Sequence, residues 1–358
     1  MRVHNFSAGP AALPLEILKK AQAELVEYKN TGMSVMEMSH RSSDYIDIFN
    51  ATESSLRSLM NISEEYEILF LQGGASMQFA QVPMNLMKTK NADYAITGQF
   101  AKKAYQEGQK YGNANAICSS EDENFSYIPK DIKVNPNADY LHITTNNTIY
   151  GTSYRQNLPE TGNVPLVADM SSNILSEVYD VNKFGLIYAG AQKNIGPAGL
   201  TIVIIRKDLI SDKLESFVPS MLNYSILAKN GSMYNTPPTY SIYVAGLVFD
   251  YLLNLGGVSN IQKVNEEKAK LFYEYLDNSK IFTGTAKKEN RSIMNVTFVT
   301  EDKQTDSDFI SYAKTHGIAN IKGHRSVGGM RASIYNAVDL ESVKWLIEVM
   351  KKFELENK

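Results

Sequence analysis

The chain has 358 residues, 36 Lys+Arg against 39 Asp+Glu, a formal net charge of -3 and 43% hydrophobic residues. That length exceeds what one compact core usually holds, so two domains are expected. A near-neutral balance without a long like-charged block argues against a nucleic acid or an anionic membrane surface, and leaves a small molecule as the expected partner.

The opening residues, "MRVHNFSAGPAALP", hold no apolar stretch of signal-peptide length, so the sequence reads as cytoplasmic. From "LPLEILKKAQAELVEYKN" onward, helix-like segments alternate with the apolar runs "YEILFL", "ADYAIT", "YLHITT", "PLVADM", "LIYAG" and "LTIVII". This rhythm predicts an α/β domain with a mainly parallel sheet. Several runs lack polar alternation, as strands covered on both faces do, and ligands are expected just beyond their ends.

In "EILFLQGGASMQFAQVPMNLM" a strand meets a glycine pair and then a helix predicted to start at Ala75 or Ser76. Free N–H groups there suit phosphate, with Ser76 adding a hydroxyl, although such turns also occur without ligands. "YAITGQFAKKAYQEG" supplies Phe100, which either packs in the core or stacks on a planar ligand. The single cysteine, Cys118, excludes an intrachain disulfide and fits a reducing compartment. Its neighbours in "NANAICSSEDENF" include acids and no base, which points to a structural role. Thr148 in "TTNNTIYG" is a turn residue or a hydrogen-bonding group for a ligand.

Asp169 ends the run in "VPLVADMSSNILS"; it either caps the turn with Ser171 and Ser172 or pairs with a cation such as a protonated pyridine. Lys193 in "YAGAQKNIGPAGLTIVII" sits between two strand-like runs. It either reaches water, or loses hydration and becomes a nucleophilic amine. Together, an anion cradle, a carboxylate and a lysine match the phosphate, pyridinium and aldehyde of pyridoxal 5'-phosphate. The greasy stretch "SIYVAGLVFDYLLNL" is broken by Asp250, so no membrane span is expected. Gly256-Gly257 is a hinge or a helix stop, and a smaller α+β domain is expected from 256 to 358, with Trp345 on the apolar side of its last helix.

The segments "NFSAGPAALP", "HRS", "GGASMQFAQVPMNL", "ADMSSNI", "YAGAQKNIGPAGLTIVIIRKDLI", "NTPPTYSIY" and "KGHRSVGGMRASIYNA" occur in one order along nearly the whole chain. They resemble the phosphoserine aminotransferase family, fold-type I, class V pyridoxal-phosphate enzymes. The resemblance implies a large domain (15–255) on a seven-stranded-type sheet, a small domain (256–358), and an N-terminal segment (1–14) joining the latter. It implies that Lys193 is the Schiff-base lysine, Asp169 the pyridinium partner, and Ala75, Ser76 and Gln192 phosphate ligands. Thr148 would meet the ring hydroxyl and Phe100 would stack on the ring. Asn235 and Thr236 would reach the phosphate of the neighbouring subunit of a homodimer with shared active sites.

By the same resemblance Arg331 would clamp the substrate α-carboxylate. His324 and Arg325, with His40 and Arg41 from the other subunit, would hold the distal anion. No metal is implied. The expected reaction moves the amino group of L-glutamate to 3-phosphohydroxypyruvate, giving O-phospho-L-serine and 2-oxoglutarate, with 4-phosphohydroxythreonine as a second substrate to consider. Two positions depart from the familiar pattern: Ser76 stands where arginine is usual, with Lys322 a candidate replacement, and Phe100 stands where tryptophan is usual. The rival readings are a class V enzyme for alanine, serine or glyoxylate, and a non-catalytic ligand-binding protein on the same scaffold.

Overall fold

A computed structural model describes residues 2–357. The chain begins with strand β1 (His4–Asn5) and helices α1 (Leu15–Ala23) and α2 (Ser43–Met60). Two strand–helix units follow, β2 (Tyr66–Leu71) with α3 (Gly74–Leu86) and β3 (Asn91–Ile96) with α4 (Gln99–Gly108), then β4 (Asn113–Ser119) and β5 (Leu141–Thr144). A short hairpin of β6 (Asn146–Asn147) and β7 (Thr152–Ser153) precedes β8 (Leu166–Asp169), β9 (Leu186–Gly190) and β10 (Thr201–Arg206).

Seven of these strands form one sheet in the order β2-β10-β9-β8-β5-β3-β4. Only β10 runs antiparallel to its neighbours; the other pairings are parallel. Every residue of β8 and β9 is buried, which is why their sequences carry no polar alternation. Alternate side chains feed two cores. Phe70, Ala168, Ala189 and Ile202 pack with residues of α2 and α6 (Thr239–Asn254), while Leu71, Val167, Tyr188 and Val203 pack with α3, α4 and the short helix α5 (Tyr224–Lys229).

Gly256 and Gly257, both at positive φ, turn the chain through 82° from α6 into α7 (Gly257–Asn278). Beyond it lie β11 (Thr283–Gly284), β12 (Asn295–Val299), α8 (Lys303–Thr315), β13 (Ile318–Ala319), β14 (Met330–Ser333) and α9 (Leu340–Glu356). Their core is aromatic: Phe282 meets Phe309 edge-on with centroids 4.7 Å apart, and Phe298 and Phe353 complete the cluster. Phe6 joins this third core, because β1 pairs in parallel with β13. Trp345 packs against it too, its indole N–H donating to the His316 carbonyl at 3.0 Å. Among the described residues no single helix is long and apolar enough to cross a membrane.

The contact between the sheet region and this last region includes a buried polar seam. Asn146 Nδ2 donates to Ser172 Oγ and Asn295 Oδ1, both at 2.7 Å. Asn295 Nδ2 in turn donates to Ser333 Oγ at 3.0 Å and Tyr335 Oη at 3.1 Å, and the Tyr335 hydroxyl donates to the Ala8 carbonyl at 2.9 Å. Such directional bonds fix the seam in one arrangement, so Arg331 on β14 takes its position from the sheet.

Candidate active site

The ends of β2, β3, β5, β8 and β9 converge on a cavity of about 300 Å3. Ala75, Ser76, Phe100, Thr148, Asp169, Gln192, Lys193, His324 and Arg331 all line it, so nine residues expected from the sequence meet in one place. Lys193 lies three residues beyond β9 on a short turn and is 9% exposed. Its Nζ donates to Thr148 Oγ1 at 2.7 Å and sits 5.9 Å from the centre of the Phe100 ring. Burial lowers its pKa to about 8, a shift opposed by the Asp169 carboxylate and reinforced by Arg331. At pH 7.5 roughly a quarter of such an amine is unprotonated, against about one in a thousand for a free lysine. The desolvated reading of Lys193 therefore holds over the hydrated one.

Asp169 is the last residue of β8 and 5% exposed. Burial raises its pKa, while the Ser171 hydroxyl and N–H, Lys193 and the Tyr188 hydroxyl pull it down. The Ser171 N–H donates to Oδ1 at 2.9 Å, so Asp169 caps its turn and still faces the cavity. The two readings of this residue are compatible.

Helix α3 starts at Gly74, one to two residues earlier than expected, because Gly73 adopts the left-handed conformation (φ 94°) and serves as the N-cap. Among the described residues no side chain caps this end, and Gly74, Ala75 and Ser76, whose N–H groups have no partner within the helix, line the cavity. An anion there would be held by backbone donors and the positive helix end. Lys322 is exposed and is not part of the lining, so within this chain it does not replace the arginine that Ser76 lacks.

The opposite wall is a turn after residue 323. His324 borders the cavity, Arg325 is exposed outside it, and Arg331 anchors one guanidinium N–H on the Thr148 carbonyl at 3.2 Å. Burial and the nearby charges of Arg331, Arg325 and Lys103 push the His324 imidazole down. Gly329 (φ 61°) closes the turn where a Cβ would come within 2.7 Å of the Phe298 carbonyl oxygen.

His40, Arg41, Asn235 and Thr236 do not line this cavity; Asn235 borders a second one beside Gly73 and Met77, and Thr236 is exposed. Cys118 lies on the edge strand β4 away from the cavity, with burial raising its thiol to about 11, as a structural cysteine requires. Ala8, Gly9, Gly74, Phe79, Thr144, Asn146, Ile149, Ser171 and Ser172 complete the lining without having been singled out as ligand-binding residues. Gly74, Ser171 and Ser172 aside, only the Ala8-Gly9 pair had a local signal, a small-residue stretch before two prolines, and Gly9 takes φ 147°, a conformation that side-chain-bearing residues rarely adopt, where it lies against Lys193.

The chain matches the profile of the aminotransferase class-V family over residues 3–346. It is 56% identical to the phosphoserine aminotransferase of Bacillus thuringiensis subsp. konkukian, a likeness covering 100% of this chain and 99% of the relative. The solved phosphoserine aminotransferase of Bacillus circulans subsp. alkalophilus superposes with a TM-score of 0.97 at 45% identity, over 100% of this chain and 99% of that one. The PLP-bound phosphoserine aminotransferase of Trichomonas vaginalis gives 0.92 at 38% identity, over 98% and 100% of the two chains.

Proposed function

The chain belongs to the class-V aminotransferases, and from that premise we propose that it is a pyridoxal 5'-phosphate enzyme exchanging the amino group between L-glutamate and 3-phosphohydroxypyruvate to give O-phospho-L-serine and 2-oxoglutarate. The observation that carries this reading is the meeting of a poised amine, a buried carboxylate, an aromatic ring and an uncapped helix end in one cavity. Each matches one part of the cofactor: Lys193 its aldehyde, Asp169 its ring nitrogen, Phe100 its face, and the N–H groups of Gly74 to Ser76 its phosphate. Thr148 and Gln192 border the same space and would meet the ring hydroxyl and the phosphate respectively.

When bound, pyridoxal phosphate supplies an electron sink for the charge that develops at the substrate Cα. The protein's part is to hold and move protons. Lys193 would be the base that takes the proton from the substrate Cα and carries it to C4′ of the cofactor. Thr148 keeps its ammonium or amine within reach at 2.7 Å. Asp169 favours protonation of the ring nitrogen because a buried carboxylate gains most from a cationic partner. Arg331 offers a planar fork to the substrate α-carboxylate.

Arg325 supplies positive charge, and the neutral His324 imidazole an N–H donor, for a distal phosphate or the glutamate side chain. His40, Arg41, Asn235 and Thr236 fit contributions to the cavity of a second copy, so the working unit is proposed to be a homodimer, in the cytoplasm. An enzyme for alanine or serine has no use for this set of bases. The test is the visible absorbance of the cofactor-loaded protein on separate addition of phosphoserine, glutamate, alanine and cysteine. Discharge of the band by phosphoserine and glutamate alone is the expected result. Discharge by alanine or cysteine but not phosphoserine overturns the substrate assignment, and failure to form a band overturns the role of Lys193.

A further inference from the structure

Asp169 needs donors, because burial by itself drives a carboxylate toward its neutral form. Besides the Ser171 N–H, the hydroxyls of Ser171 and Tyr188 face it. Each of these hydroxyls is approached from behind by a nitrogen. Gly190 N–H donates to Ser171 Oγ at 3.2 Å, and His142 Nε2 lies 2.9 Å from Tyr188 Oη. A hydroxyl that already accepts a hydrogen bond turns its own hydrogen the other way, here toward the carboxylate.

We propose that His142 is a positioning residue for Asp169 that acts through Tyr188: its neutral imidazole donates from Nε2 to the Tyr188 hydroxyl, which is thereby fixed as a donor to the carboxylate. This role rests on the function proposed above, since the carboxylate matters to chemistry through the ring nitrogen it faces. Sheet register brings the three side chains together. Asp169 pairs with Tyr188 across β8 and β9 and with Thr144 across β8 and β5; His142, two residues before Thr144, shares its face. The imidazole is held flat by Tyr94, stacked at 5.3 Å and 26°, whose hydroxyl is in turn 2.5 Å from that of Tyr140.

The tautomer follows from what surrounds the other nitrogen. Nδ1 is buried and has no partner among the described residues. With the proton on Nε2 this leaves an unfilled lone pair, which costs less than an unpaired buried N–H. The opposite tautomer would also turn the Tyr188 oxygen lone pairs against the carboxylate. Burial pushes the imidazole down to about 3, so it stays neutral at working pH. The titratable groups beside it, Tyr94, Tyr140 and Tyr188, are all raised by burial and stay neutral as well, and Asp169 lies beyond Tyr188.

Side-chain nitrogen NMR of the protein, with and without cofactor, tests the first half of the proposal. Of the five histidines, one should remain neutral and protonated on Nε2 from about pH 5 to about pH 9, and its signals should vanish in His142→Phe. A His142 that is charged, or protonated on Nδ1, overturns the proposal without any variant having to fold. Steady-state kinetics test the second half. His142→Phe and Tyr188→Phe should each lower kcat about tenfold or more with KM little changed.

The double variant should be no worse than Tyr188→Phe, and His142→Gln, whose amide can donate to Tyr188, should recover most of the loss. Native kcat in His142→Phe, or additive losses in the double variant, overturns the coupling. A protein that takes up no cofactor sinks the proposed function instead, and leaves the tautomer measurement to judge His142 on its own.

Discussion

The two sides of the cavity are built on opposite terms. On one side Asp169 ends, and Lys193 follows, a strand whose residues are all buried, and both make hydrogen bonds to fixed partners. On the other, His324 and Arg325 ride a turn between Gly323 and Gly328, where Arg325, Ser326 and Val327 are exposed. The buried side holds atoms whose spacing sets a rate, since proton transfer tolerates little misplacement. The exposed side keeps its charges hydrated until an anion arrives. Turnover should therefore depend on the first and substrate choice on the second.

The largest break in this contrast is Lys193→Ala. Its kcat should fall by about 10²–10⁴-fold or more, measured as single-turnover conversion of phosphoserine. Activity within tenfold of native would mean the buried side does not carry the rate. Asp169→Ala should cost about 10²-fold in kcat while KM moves a few-fold. A loss confined to KM would assign recognition to the buried side.

A smaller effect comes from pH. Only the neutral Lys193 amine is a nucleophile, and its pKa is depressed to about 8. The rate at which the cofactor-free protein captures pyridoxal phosphate should thus rise about fiftyfold from pH 6 to pH 8 and then level off. A rate still climbing tenfold per unit at pH 9 would mean a hydrated lysine. The smallest effect belongs to the exposed side. Arg325→Ala should raise KM for phosphoserine about threefold at low salt, with the difference fading as ionic strength rises, because an exposed charge is screened within about 8 Å at physiological salt. A kcat defect independent of salt would erase the distinction between the two sides.

The same contrast governs what could be read from sequence. The strands were legible because unbroken apolar runs such as residues 202–205 have few alternatives, and Ala75, Phe100, Asp169 and Lys193 were found by their place at or just beyond strand ends. Their partners were not. Nothing local marks His142 as a neighbour of Tyr188, 46 positions away, because sheet register brings them together. Lys268 is a sharper case. In "NEEKAKLF" it looks like one more solvated charge on an amphipathic helix, yet it is fully buried and donates to the carbonyls of Ile334, Tyr335 and Val338 at 2.8–2.9 Å. The residues His40, Arg41, Asn235 and Thr236 were reached only through family resemblance, and a single chain leaves them outside the cavity.

The pairing of β1 with β13 bears on how the protein is made. Ala8 and Gly9 form part of the cavity wall, yet the strand that holds them docks on residues 318 and 319, and Tyr335 clasps the Ala8 carbonyl. On the ribosome the first residues wait for some 310 more to be added, roughly 15 to 60 s at 5–20 residues per second. The seven-stranded sheet can close well before that, once β10 emerges between β2 and β9. A chain interrupted between β10 and β13 would carry its lysine and aspartate on a formed sheet beside an unfinished wall, with its N-terminal segment undocked and open to proteases.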